Sequence, residues 1–160
     1  MTWAVSIDPG TKDCGIAVWE DKVLRRAGLI RQPGNDYGLM LVSDAIAFVQ
    51  KVSCEVDEIV IEKPQVYVQS RQKGDPNDLI NLAVVVGMLT QGLSTTFDWP
   101  RIRLWRPSEW KGQVPKVISV ERSKGRLGPD EYTRVELPRA TSLHHNIWDA
   151  VGIGLTYWGR

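Results

Sequence analysis

The chain has 160 residues, with 20 Lys and Arg against 19 Asp and Glu and only two cysteines, Cys14 and Cys54. That length suits one compact domain over residues 1–160, because a core of this size buries enough surface to hold without staples. The cysteines lie far apart without CxxC spacing, which implies neither a disulfide framework nor a zinc site, and a reducing cytoplasm is the expected location. No apolar run reads as long enough for a membrane span, and Asp8 breaks the apolar N-terminal stretch at once, which argues against a signal peptide. The net charge of +1 is uneven: Met1 to Pro100 holds 9 Lys and Arg against 13 Asp and Glu, net −4, and Arg101 to Arg160 holds 11 against 6, net +5. A basic C-terminal part is compatible with a polyanionic partner, although a solvated helix surface explains any single basic stretch as well.

Trp3 to Asp8 (WAVSID) is rich in β-favouring residues and stops at Pro9-Gly10, a turn pair, so it reads as a first strand. Cys14 to Glu20 and Val23 to Ile30 are two further strand-like runs, completing an antiparallel meander. From about Asp36 to Val52, Leu39, Leu41, Val42, Ala45, Ile46 and Val49 recur at helical spacings. Asp57 to Glu62 (DEIVIE) follows as the parallel strand of a crossover and belongs beside the first strand. Lys63 to Pro76 is polar and reads as an exposed loop bordering a site. Asn77 to Leu93 is apolar nearly all round, which fits a helix packed on a sheet and on a second subunit. Arg101 to Trp105 is a short strand; a basic region with weak helical pattern runs from Pro115 to Leu137, and a last helix from about His144 to Trp158. The order predicts an α/β, ribonuclease H-like mixed five-stranded sheet, three strands antiparallel and then two parallel, with helices on both faces. Fold alone licenses no function.

Asp8 closes the first strand and Glu62 the fourth, and the carboxyl ends of parallel neighbours lie together at the usual ligand-binding edge of such sheets. Crowded, partly desolvated carboxylates repel unless a divalent cation neutralises them. Asp149 on the last helix supplies a third acid, with His145 and Asn146 at i−4 and i−3 on its face. Oxygen ligands of this kind suit Mg²⁺ or Mn²⁺, two ions per site in the arrangement that hydrolyses phosphodiesters, and His145 is placed to move a proton or bind metal. Each residue also has a bland reading: Asp8 as a turn residue, Asp149 and His145 as the polar stripe of an amphipathic helix. The combination in this order is what points to chemistry. Of the seven tryptophans, Trp3, Trp19, Trp148 and Trp158 read as core or interface, and Trp105 and Trp110 as braces of the loop between them, with base stacking the lesser alternative.

SIDPGTKDCGIAVW resembles the first motif of RuvC-type Holliday junction resolvases, IVIEKP their second, and HHNIWDAVGIGL their C-terminal acidic helix. PSEWKGQVPK is similar to the family's Lys-bearing connection, especially in phage-borne members. The resemblance implies a homodimer, Mg²⁺ dependence, and paired nicks in four-way DNA junctions leaving 5′-phosphates. It assigns Asp8, Glu62 and Asp149 to metal binding and points to Lys111 and Lys116 for the DNA backbone. Many members carry an acid where this chain has Asn146; a neutral amide ligand there weakens one metal, and His145 stands one residue off register as a substitute. Tyr67 is the nearest match to the family's junction-stacking aromatic, with a longer spacing from Glu62. Arg71 and Lys73 in the same loop, and Lys124 and Arg126 in the tail, are further candidates for phosphate contacts. Alternatives remain open: a less selective branched-DNA, flap or RNA-hybrid nuclease; a junction-binding protein without catalysis, motivated by Asn146; and a phosphate-binding hairpin like that of sugar kinases, which needs two such domains.

Overall fold

The computed structural model describes residues 1–32, 39–66 and 75–160. Five strands form one sheet in the order β3-β2-β1-β4-β5: β1 (Trp3–Asp8), β2 (Asp13–Glu20), β3 (Val23–Arg31), β4 (Glu58–Glu62) and β5 (Arg101–Trp105). β1, β2 and β3 pair antiparallel, and β4 and β5 run parallel to β1. This is the ribonuclease H-like topology that the sequence predicts.

Alternation along the strands decides what meets where, because successive side chains leave opposite faces of a sheet. Val5 and Ile7 of β1, Ile16 and Val18 of β2, and Ile59 and Ile61 of β4 enter one core with Leu41, Ala45 and Val49 of α1 (Leu39–Gln50) and Val85, Leu89 and Leu93 of α2 (Pro76–Thr96). Ala4, Ala17 and Trp19 enter a second core on the opposite face, with Ile147, Trp148, Ala150 and Val151 of α6 (His144–Tyr157). Asp8 and Glu62 have the parity of Ala4 and Val60, so both fall on the α6 side. Ser6, also on that side, donates to the carbonyl of Ala150 at 2.7 Å and accepts from Trp19 Nε1 at 2.9 Å, a buried chain that ties α6 to β1.

The remaining helices are α3 (Pro107–Trp110), α4 (Lys116–Arg126) and α5 (Pro129–Tyr132), with a 3-10 turn at Thr141–Leu143 ahead of α6. Between α5 and that turn, Val135 bridges to Ala27 of β3, whose N–H and C=O bond to Arg134 and Glu136. The sequence predicts only weak helix there; β3 leaves an open edge, and unpaired edge groups recruit whatever extended segment is near. Asp75 caps α2 by accepting from the Asn77 N–H at 2.9 Å, which starts the helix one residue earlier than predicted.

One expectation for α2 needs revision. At 21 residues it is long and apolar enough, by length and composition, to cross a membrane, contrary to the reading that no run reaches that length. It is also buried along one stripe only: Val85, Val86, Leu89 and Leu93 are inside, and Ile80 and Val84 remain exposed. Trp19 and Trp148 are fully buried, as predicted, and Trp3 and Trp158 pack against the two cores.

Candidate active site

The last β1–β4 register pair is Ile7↔Ile61, so Asp8 and Glu62 stand side by side one step further on, at the carboxyl edge of the two central strands. There β1 gives way to the Pro9-Gly10 turn and β4 to Lys63-Pro64. α6 crosses over this edge and brings Asp149 to it. A cleft of about 420 Å³ is lined by Asp8, Glu62, Asp149, His145, Asn146, Lys111 and Lys116, with the hairpin Pro9–Asp13 at its rim. The sequence-predicted acids, imidazole, amide and two lysines therefore share one site, although β1, β4, the α3–α4 segment and α6 that supply them are far apart in the chain. Tyr67, Arg71 and Lys73 lie outside the described residues. A larger apolar groove of about 1050 Å³ runs along α2 beside Lys63, Pro64, Val66, Leu79 and Ile80; among the described residues it is lined by no acid, which leaves the smaller cleft as the candidate site.

The acids strain against one another. Burial, then the charges of Glu62 and Asp149, push the Asp8 carboxyl well above its ordinary range, with Lys111 and Lys116 opposing. Burial also raises Glu62, partly offset by Lys111 and by a 2.6 Å hydrogen bond from Trp110 Nε1 to Glu62 Oε2. Lys111 Nζ lies 3.5 Å from Asp149 Oδ2 and 3.9 Å from Glu62 Oε2. Burial works to discharge this ammonium, but Asp149, Glu62 and Asp8 outweigh it and raise its pKa. Asp149 is 4% exposed, and its Oδ1 is buried with no hydrogen-bond partner among the described residues. His145 is lowered by burial and by the nearby Lys116 charge.

An orphaned carboxylate oxygen and mutually repelling acids are what a hard divalent cation relieves, and the donor set of three carboxylates and one amide is of the right kind for Mg²⁺ or Mn²⁺. Among the described residues no three His, Cys, Asp or Glu side chains already stand as a closed cluster for one ion. The Lys111 ammonium lies among the acids instead. Trp110 is the site residue that sequence reading missed. The sequence reads it as a brace of its loop, with base stacking the lesser alternative, and the available signal is its place beside Lys111 in PSEWK, a polar-headed aromatic next to a lysine. Lys12, at the hairpin rim, was also missed.

No family model matches the chain, and no curated protein matches it in sequence. Solved structures do match in fold. A T. thermophilus RuvC in complex with a Holliday junction substrate superposes with a TM-score of 0.70 at 15% identity, over 98% of this chain and 92% of that one. A further Thermus thermophilus RuvC structure gives 0.65 at 19% identity, over 97% and 92%. The yeast mitochondrial Holliday junction resolvase Ydc2 gives 0.50 at 12% identity, over 97% and 78%. The chain thus has the ribonuclease H-like fold. The likeness to these resolvases is one of fold.

Proposed function

We propose that this chain, as one nuclease domain over residues 1–160, resolves four-way DNA junctions by metal-dependent hydrolysis of paired phosphodiesters, leaving 5′-phosphates. The observation that carries the reading is the meeting of Asp8, Glu62 and Asp149 in one cleft with Asp149 Oδ1 buried and unpartnered. The RuvC-type fold supports the choice of substrate. Asp8, Glu62 and Asp149, with the amide of Asn146, would hold Mg²⁺ or Mn²⁺, two ions in the fullest arrangement. Such ions lower the pKa of bound water and stabilise the departing oxygen.

The chain's own side chains do the rest. Lys111 and Lys116 border the carboxylates and neutralise the phosphodiester as it enters, which orients it toward the acids. His145, on the same face of α6 as Asp149, takes up the proton released by the attacking water. By the sequence resemblance alone, Tyr67 would supply stacking and Arg71 and Lys73 phosphate contacts. Paired nicks need two sites, and the exposed Ile80 and Val84 on α2 support a homodimer packed through that helix. The location is the cytoplasm, where the two free thiols of Cys14 and Cys54 stay reduced.

The test is incubation of an end-labelled synthetic four-way junction with the chain and Mg²⁺ or Mn²⁺, alongside flap and RNA-hybrid substrates. Symmetric nicks in the junction, carrying 5′-phosphates, are expected. Equal cutting of all substrates would favour the less selective nuclease, and an intact junction throughout both metal titrations would overturn the reading.

A further inference from the structure

Trp110 touches both halves of the acidic site. Its indole Nε1 donates to Glu62 Oε2 at 2.6 Å, a short bond to a half-buried carboxylate. Lys111 Nζ, the other donor near that oxygen, is 3.9 Å away and beyond hydrogen-bond reach. The far edge of the indole lies against α6 at Gly152, three residues after Asp149. A Cβ on Gly152 would stand 2.7 Å from Trp110 Cζ3 and 2.9 Å from Ser123 Oγ, so the ring is seated only because that position is bare. The Trp110 carbonyl accepts from Thr156 Oγ1 at 3.4 Å, also on α6, and the Lys111 ammonium lies 4.7 Å from the ring centroid.

A helix of four residues such as α3 does not hold its own shape. It is started by Pro107 and by Glu109, which accepts from the Arg106 N–H at 2.6 Å, and is then fastened to α6 through the Trp110 ring and carbonyl. The indole N–H is therefore delivered to Glu62 from a platform that also carries Asp149. Partners of this sort orient ligating carboxylates, and their removal commonly costs ~10–100-fold in metal affinity or activity.

We propose that Trp110 is a positioning residue: its indole N–H fixes the Glu62 carboxylate relative to Asp149 and thereby sets divalent-cation affinity and nicking rate, without itself binding DNA. The inference rests on the nuclease reading for its second readout but not for its first. The decisive variant is Trp110→Phe, which keeps a ring over Gly152 and deletes the donor. Mn²⁺ binding to the DNA-free chain is measured by calorimetry, nicking by single turnover at saturating junction, and junction affinity in Ca²⁺.

Trp110→Phe is expected to weaken Mn²⁺ binding and slow nicking by ~10-fold or more, with junction affinity within about twofold of wild type. Trp110→Leu, an apolar side chain with no donor, gives the same measurement should the Phe variant unfold. Unchanged Mn²⁺ affinity in a folded variant overturns the proposal, as does a loss confined to junction affinity, which would make Trp110 a base-stacking residue. A wild-type chain that binds Mn²⁺ yet never nicks removes the nuclease reading while the Mn²⁺ comparison still decides for Trp110. A wild-type chain that does neither overturns both.

Discussion

Gly15 and Asn146 meet where β2 passes beneath the first turn of α6: a Cβ on Gly15 would overlap the Asn146 carbonyl. Gly15 is also the cross-strand partner of Asp8. The bare position thus lets α6 settle close enough to bring Asp149 to Asp8. Gly15→Ala forces backbone apart and is expected to destabilise the fold by roughly 1–3 kcal/mol, the usual cost of overpacking, with nicking lost even where the chain stays folded. Denaturant unfolding and junction nicking on the same preparation check both halves.

Asp8→Asn removes one of three crowded charges. Nicking is expected to vanish. Because burial and the neighbouring carboxylates disfavour the charged form of Asp8, the variant should be at least as stable as wild type without divalent ions. Wild type should gain more in melting temperature on adding Mn²⁺ than the variant does. Thermal unfolding with and without Mn²⁺ reads the difference, and an equal gain in both would remove Asp8 from the cation site.

Lys116 lines the cleft without an ion pair of its own among the described residues, so its charge is available to a phosphate. Lys116→Ala should weaken junction binding at all sequences alike and reduce the slope of log K against log salt by about 1. A salt titration of junction affinity measures it.

Ile80→Lys combined with Val84→Glu places charges on the exposed stripe of α2, away from the acids. Sedimentation should report a monomer that keeps its fold. An unchanged dimer would move the interface elsewhere.

Glu131 accepts from Arg160 Nη1 and Nη2 at 2.6 and 2.7 Å, from the Leu24 N–H at 2.7 Å and from the Gly128 N–H at 2.8 Å. Burial alone would raise its carboxyl, but these donors outweigh it and hold the group at about 2. The folded value lies below the ordinary 4.5, so the stabilisation is complete above that pH and is lost as pH falls through about 2. It amounts to about 3 kcal/mol, an order-of-magnitude figure. Glu131→Gln should be less stable at pH 7 and show a flatter acid limb between pH 5 and about 2, measured by urea unfolding at several pH values.

The strands and α6 were legible in the sequence because their signals are local: period-two alternation in WAVSID and EIVIE, and a helical face shared by His145, Asn146 and Asp149. The pairing of Asp8 with Glu62 was legible too, since a crossover helix implies parallel neighbours. Two features were not. The Trp110 bond to Glu62 spans 48 residues and depends on a bare Gly152, which no local pattern encodes. The bridge of Val135 to Ala27 is set by the open edge of β3 rather than by the propensity of its own segment.

The sheet works as a two-sided ruler. In β1 and β4 odd-numbered positions serve the scaffold of α1 and α2, and even-numbered ones face the chemistry beneath α6. Removing a single residue inside either strand would therefore not merely shorten it. It would turn an acid into the oily layer and a core aliphatic into the cleft, so it is in the connections, and not within these strands, that a residue can be gained or lost with the acidic edge kept.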